Sequence, residues 1–230
     1  MKLRLKWFEL SPRILSISSL GERMLASQYN RRRSAGFKLD TVRRDFVSGV
    51  FLERIEWEDE VEDPAEGILL LRRVEVRQTQ FRISASPRTL ELLNPPRSVQ
   101  PFVDHLSQCA DQDVRLKDIP LTPEDWLASF QGKPNSYIVT SITTAGITLS
   151  SGTSATISIS GSEDVRKYLK QFATGRTAYA ERLTMTIPRY IGTRIELQAN
   201  ARACVLEGGE AARAMLRGAL EVAIRMRSGQ

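Results

Sequence analysis

Apolar and basic side chains alternate along MKLRLKWFEL, setting Leu3, Leu5 and Trp7 on one face and Lys2, Arg4, Lys6 and Phe8 on the other, which predicts a strand over residues 2–9. The pattern over 14–29 is weakly helical, and NRRRSAG at 30–36 reads as a loop. A second strand, 45–57, carries Phe46, Val50, Leu52 and Ile55 and runs into EDEVEDPAEG at 58–67. That tract holds too many carboxylates for a packed core and reads as a solvated hairpin loop or a linker. The chain returns at 67–84 with GILLLRRVEVRQTQFRIS, whose alternation at Val74, Val76, Phe81 and Ile83 predicts one long strand or two short ones.

Helices are better marked further on. Ser98 is placed to cap a helix whose stripe is Val99, Phe102, Val103, Leu106, Cys109 and Ala110. In LTPEDWLASFQGKPN, 121–135, Thr122 stands as N-cap, Pro123 at the first helical position, Asp125 where it completes a capping box, and Gly132 with Pro134 as the stop. Trp126, Leu127 and Phe130 then face inward. The Ser-, Thr- and Ile-rich stretch 137–160 reads as a β-meander of two or three strands, since β-branched residues alternate between glycines. A helix is predicted over 162–173, strands over 182–189 and 193–199 with a third at 202–206, and a final amphipathic helix over 210–227 with the stripe Ala211, Ala212, Met215, Leu216, Ala219, Leu220 and Ala223. FRISASPRTL…SVQPFVDHL and TISISGSEDVRKYL form a weak internal parallel of strand-then-helix units.

Groups of strands punctuated by single helices predict an α+β fold: mainly antiparallel sheet with helices packed on one face and an amphipathic helix at the C-terminus. The 230 residues suffice for one large domain or two small ones. Residues 1–66 read as a basic strand and loop region ending in the acidic linker or hairpin loop, and 67–230 as an α+β domain, with one continuous domain as the alternative. The start lacks the unbroken apolar run of a signal peptide, and no run of about 18 apolar residues offers a membrane span. A cytoplasmic protein is expected, without membrane partners, with Cys109 and Cys204 as ordinary core thiols.

The net charge of +6 is unevenly spread. Residues 1–44 hold eleven basic side chains against Glu9, Glu22 and Asp40, a balance of +8, while 53–66 hold eight acidic ones against Arg54, a balance of −7. Arginine outnumbers lysine 26 to 7, which suits bidentate phosphate contacts and equally the codon bias of a GC-rich bacterial genome.

The sequence holds no self-sufficient catalytic or metal-binding set. His105, the one histidine, stands one helical turn from Cys109, but Cys109 falls on the apolar stripe. One histidine and two distant cysteines have no zinc spacing. Glu53, Glu56, Glu58, Asp59, Glu60, Glu62 and Asp63 are the candidates for a carboxylate-only ion site, against the commoner solvated face. Neither GxxxxGK[ST] nor GxGxxG occurs, and Glu75-Val76-Arg77 has arginine where a nuclease hairpin needs lysine. No cofactor is expected, and catalysis has no positive support.

Two binding functions remain. Arg31, Arg32, Arg33, Lys38, Arg43 and Arg44, with Phe37 and Tyr29 available for stacking, predict backbone contacts to nucleic acid. Arg189, Tyr190 and Arg194, at the tip of a hairpin over 187–195, add a basic ribbon. The alternative is a scaffold that docks a protein partner or a second copy of itself through its acidic and basic surfaces, the two charged blocks pairing within a chain or across a dimer. Either role suits an accessory subunit of a bacterial multi-protein system, for instance in DNA handling or antiphage defence.

Overall fold

A computed structural model describes residues 2–11, 16–30, 32–65, 67–130, 137–150, 152–172, 179–188 and 192–229. The fold is α+β, with an antiparallel sheet arrangement and helices ending in a long C-terminal one. The chain forms two compact units: Met1–Phe8 with Asp118–Gln230, and Glu9–Lys117.

In the first unit the strands run β1 (Leu3–Ser11), β11 (Arg202–Glu207), β10 (Thr193–Gln198), β9 (Tyr179–Ile187), β7 (Ile138–Ser150) and β8 (Thr153–Ser160), each antiparallel to the next. Their buried positions include Leu5, Trp7, Leu183, Met185, Ile195, Leu197 and Val205. Helix α3 (Pro123–Ser129) starts where the sequence says it should: Thr122 Oγ1 accepts from Asp125 N at 3.1 Å, and Asp125 Oδ2 accepts from Thr122 N at 2.8 Å. The expected stop at Gly132 and Pro134 lies outside the described residues. Helix α5 (Gly209–Ser228) buries Ala212, Leu216, Ala219, Leu220 and Ala223 against α3, β10 and β11. Leu216 and Leu220 each contribute about 1.5–3 kcal/mol by leaving water. Helix α4 (Arg166–Phe172) starts later than predicted: the Val165 carbonyl accepts its first bond, from Leu169 N at 3.3 Å, and the Asp164 carboxylate before it accepts from the Arg166 backbone N–H at 3.0 Å.

The second unit is a sheet in the order β2 (Ala35–Val42), β3 (Phe46–Asp63), β4 (Gly67–Ser84), β5 (Thr89–Leu93), with α1 (Ile17–Ala26) and α2 (Gln100–Ala110) on one face; a short strand, β6 (Arg115–Asp118), follows α2. Phe37, Phe51, Phe81 and Phe102 meet there at ring-centroid separations of 5.2–5.8 Å. Gly49 sits beside the bulge at Leu39/Thr41, where a Cβ would stand 2.3 Å from the Lys38 carbonyl oxygen, so no larger residue fits. Ser98 lies one place before the N-cap of α2, Val99, and accepts from Gln100 N at 3.3 Å.

Three strands depart from the sequence expectation. The end of the 30–36 loop opens β2, and β5 was not anticipated. All five residues of β5 are buried, Thr89 and Glu91 included, and only Thr89 is β-branched, so local propensity does not mark TLELL as a strand. The acidic run is not a loop: β3 continues through it to Asp63, and a turn begins at Pro64. In the internal parallel, β5 intervenes before α2 but no strand intervenes before α4.

Candidate docking surface

Strands β3 and β4 pair without a register break from Phe46↔Ser84 to Asp63↔Gly67. β2 covers the outer edge of β3 only to Glu53, with Arg54 N donating to Ser34 O at 2.6 Å. β5 covers β4 only from Gln80 onward. Beyond those points, among the described residues, neither strand has a further neighbour. Residues 54–63 and 67–78 form a two-stranded ribbon that extends about 30 Å at roughly 3.3 Å per residue.

The register assigns the two faces of this ribbon. One carries Glu56 opposite Val74, Glu58 opposite Arg72, Glu60 opposite Leu70 and Glu62 opposite Ile68. The other carries Ile55 opposite Glu75, Trp57 opposite Arg73, Asp59 opposite Leu71 and Val61 opposite Leu69. Aliphatic side chains thus lie in water on both faces: Ile68 is 70% exposed and Leu70 65%, with Leu71, Val74 and Val76 also exposed. Scattered exposed aliphatics need no explanation, but a contiguous set on one projecting element marks an interaction surface.

The ribbon's ion pairs are internal. Arg73 Nε meets Asp59 Oδ2 at 2.8 Å, Arg54 Nε meets Glu56 Oε1 at 2.9 Å, Arg72 also bonds Glu56, and Arg77 Nη1 stands 3.6 Å from Glu53 Oε2. The hydrogen bond from Arg72, helped by the charge of Arg54, holds the Glu56 carboxyl below the usual glutamate range. Glu58, Glu60 and Glu62 form no ion pair among the described residues. Among the described residues the basic partners of the acidic run are Arg54 on β3 itself and arginines of β4, and none comes from the N-terminal segment.

The predicted nucleic-acid residues are not gathered into one patch. Arg32 and Arg33 precede β2, exposed Lys38 lies within it, and Arg43 and Arg44 occupy the turn to β3, so the eight residues of β2, about 26 Å of strand, separate the two pairs. These five side chains are exposed and make no ion pair among the described residues. Arg43 lies 5.6 Å from the Phe46 ring centroid. Phe37 was expected to stack on a base, but it is 0% exposed at the centre of the phenylalanine cluster and is closed to any ligand. Tyr29 is half-buried, its N–H donating to Phe37 O at 3.0 Å. Arg194 is exposed on β10, opposite Thr186 and Glu207. Arg31, Arg189 and Tyr190 lie outside the described residues.

The catalytic candidates are packed into the structure. His105 Nδ1 donates to Pro101 O at 2.9 Å, and its ring centroid lies 5.3 Å from that of Phe51. Cys109 and Cys204 are free and buried, and burial raises both thiols above their ordinary range. Among the described residues no three His, Cys, Asp or Glu side chains converge as a metal cluster.

The candidate docking residues missed in the sequence are the β4 aliphatics. Their signal was present: GILLL breaks alternation directly beside an acidic run, so one strand of a hairpin is apolar at consecutive positions while its partner is charged. No family model matches the chain, and no curated protein shows significant similarity to it.

Proposed function

We infer that this chain is a cytoplasmic assembly protein and that the β3–β4 ribbon is the arm with which it docks a protein partner. The observation that carries this reading is the exposure of aliphatic side chains on both faces of a strand pair that runs on beyond its sheet. A bare two-stranded ribbon is marginally stable in water, and its open edges are templates for another strand. Addition of a strand from a partner supplies main-chain hydrogen bonds, and the aliphatics supply apolar area. No helix among the described residues is long and apolar enough to cross a membrane.

Site-specific photo-cross-linking in cells tests this. A photoreactive residue at Leu70 is expected to give a discrete protein adduct, whereas one at Tyr179, 70% exposed in the other unit, is not. No adduct at Leu70, or the same adducts at both positions, contradicts the reading.

A second reading keeps the nucleic-acid proposal, favoured by the exposure of Arg32, Arg33, Lys38, Arg43 and Arg44 without acidic partners among the described residues. Fluorescence anisotropy with labelled DNA and RNA is then expected to show affinity falling steeply between about 50 and 200 mM salt and lost on replacing Arg31, Arg32 and Arg33 with alanine. No binding at the low-salt end rules it out.

A further inference from the structure

The two open edges of the arm differ in charge. Along 54–63 the β3 edge carries Arg54 against six carboxylates, so a second copy of that edge laid beside it opposes acid to acid, an arrangement that keeps edge strands apart. The β4 edge carries Arg72, Arg73, Glu75 and Arg77 among aliphatics. Glu75 stands opposite Ile55 and has no ion-pair partner among the described residues.

A strand edge pairs symmetrically with its own copy about a two-fold axis normal to the sheet, which makes the strands antiparallel. Because side chains alternate between faces, opposed residues must share a face, and this allows only registers centred on a residue. Centred on Arg73 or Glu75, the pairing opposes like charges. Centred on Val74, it sets Arg73 of each copy opposite Glu75 of the other, Arg72 opposite Val76 and Leu70 opposite Gln78, with no like charges facing. That register uses residues 69–79 and stops where β5 already occupies Gln80. A centre at Val76 opposes Glu75 and Arg77 but runs into Gln80 sooner, so it pairs fewer residues.

Resting on the docking reading above, we propose that the arm's partner is a second copy of this chain, joined along the β4 edge with Val74 on the two-fold axis. The two arms then make a four-stranded antiparallel sheet with its acidic β3 edges outermost. Two reciprocal Arg73–Glu75 pairs fix the register.

Analytical ultracentrifugation of the full-length chain is expected to give twice the chain mass. R73E and E75R should each weaken the dimer about tenfold, since each turns two attractive pairs into two repulsive ones. The double variant R73E/E75R should restore it. E75R leaves the Arg73–Asp59 pair within the arm intact, so its effect reports the interface and not local damage. Under mild oxidation V74C, opposite its own copy, should cross-link into a covalent dimer, and L70C should not. A monomer at every concentration, a double variant no tighter than the singles, or cross-linking through V76C in place of V74C overturns the proposal. If the chain is monomeric but a photoreactive residue at Leu70 still captures a different polypeptide, the second copy is wrong and the docking reading survives. If neither association is seen, both fall.

Discussion

Residues 46–53 of β3 and 79–84 of β4 lie between β2 and β5 under the phenylalanine cluster, whereas 54–62 and 67–78, further along the same unbroken ladder, are exposed or half-exposed on both faces. The backbone pairing is the same in the two halves. In the root, Val47, Phe51, Phe81 and Ile83 fall on one face and are covered by helices; in the arm, aliphatics and carboxylates share each face and none of the described residues covers them. The ladder therefore does not report where the fold's stability lies. Burial does, and the arm has apolar area that folding leaves unused.

The largest test of this contrast is truncation in the root. Phe51→Ala removes a ring from the cluster and should cost about 3–5 kcal/mol in chemical denaturation. The boundary is set by the Glu53–Arg77 pair, where Glu53→Ala should cost about 1 kcal/mol or less, because the pair is partly exposed and 3.6 Å apart. Within the arm, Leu70→Ala should change unfolding by no more than about 0.5 kcal/mol at concentrations where the chain is monomeric. A cost at Leu70 comparable to that at Phe51 would mean the arm is part of the core.

The smallest effect is one of pH. The carboxyl of Glu56 titrates below its unfolded value, so its contribution is fully present above the ordinary glutamate range and is lost as pH falls through the lowered folded value. Fluorotryptophan NMR at Trp57, the arm's aromatic, should show the ribbon loosening in acid. Glu56→Gln should remove that step while the Trp7 and Trp126 signals from the other unit stay unchanged.

Much of the fold is legible in the sequence where a local signal exists. Thr122 with Asp125, the apolar stripe of α5 and the glycine-punctuated meander all correspond to the elements observed, because capping and periodicity act within a few residues. The misses are nonlocal. β5 is buried on both faces and holds one β-branched residue in five, and the strand character of 58–63 depends on pairing with 67–72 across the turn, which composition does not reveal. The sequence marks 58–63 as charged and solvated, but not the exposure of the aliphatics at 68–76 beside it. Phe37 and Trp57 both lie in predicted functional territory, yet one is sealed beneath α2 and the other stands on the arm, a difference set by which helix covers which half of the ladder.

Amide hydrogen exchange across a concentration series tests the central claim most directly. Docking through the β4 edge predicts that the outward-facing amides of 69–79, those not bonded to β3, become protected as concentration rises and lose that protection in E75R. Those on the open β3 edge over 56–62 should exchange quickly throughout. Equal, concentration-independent exchange along both edges of the arm would contradict it.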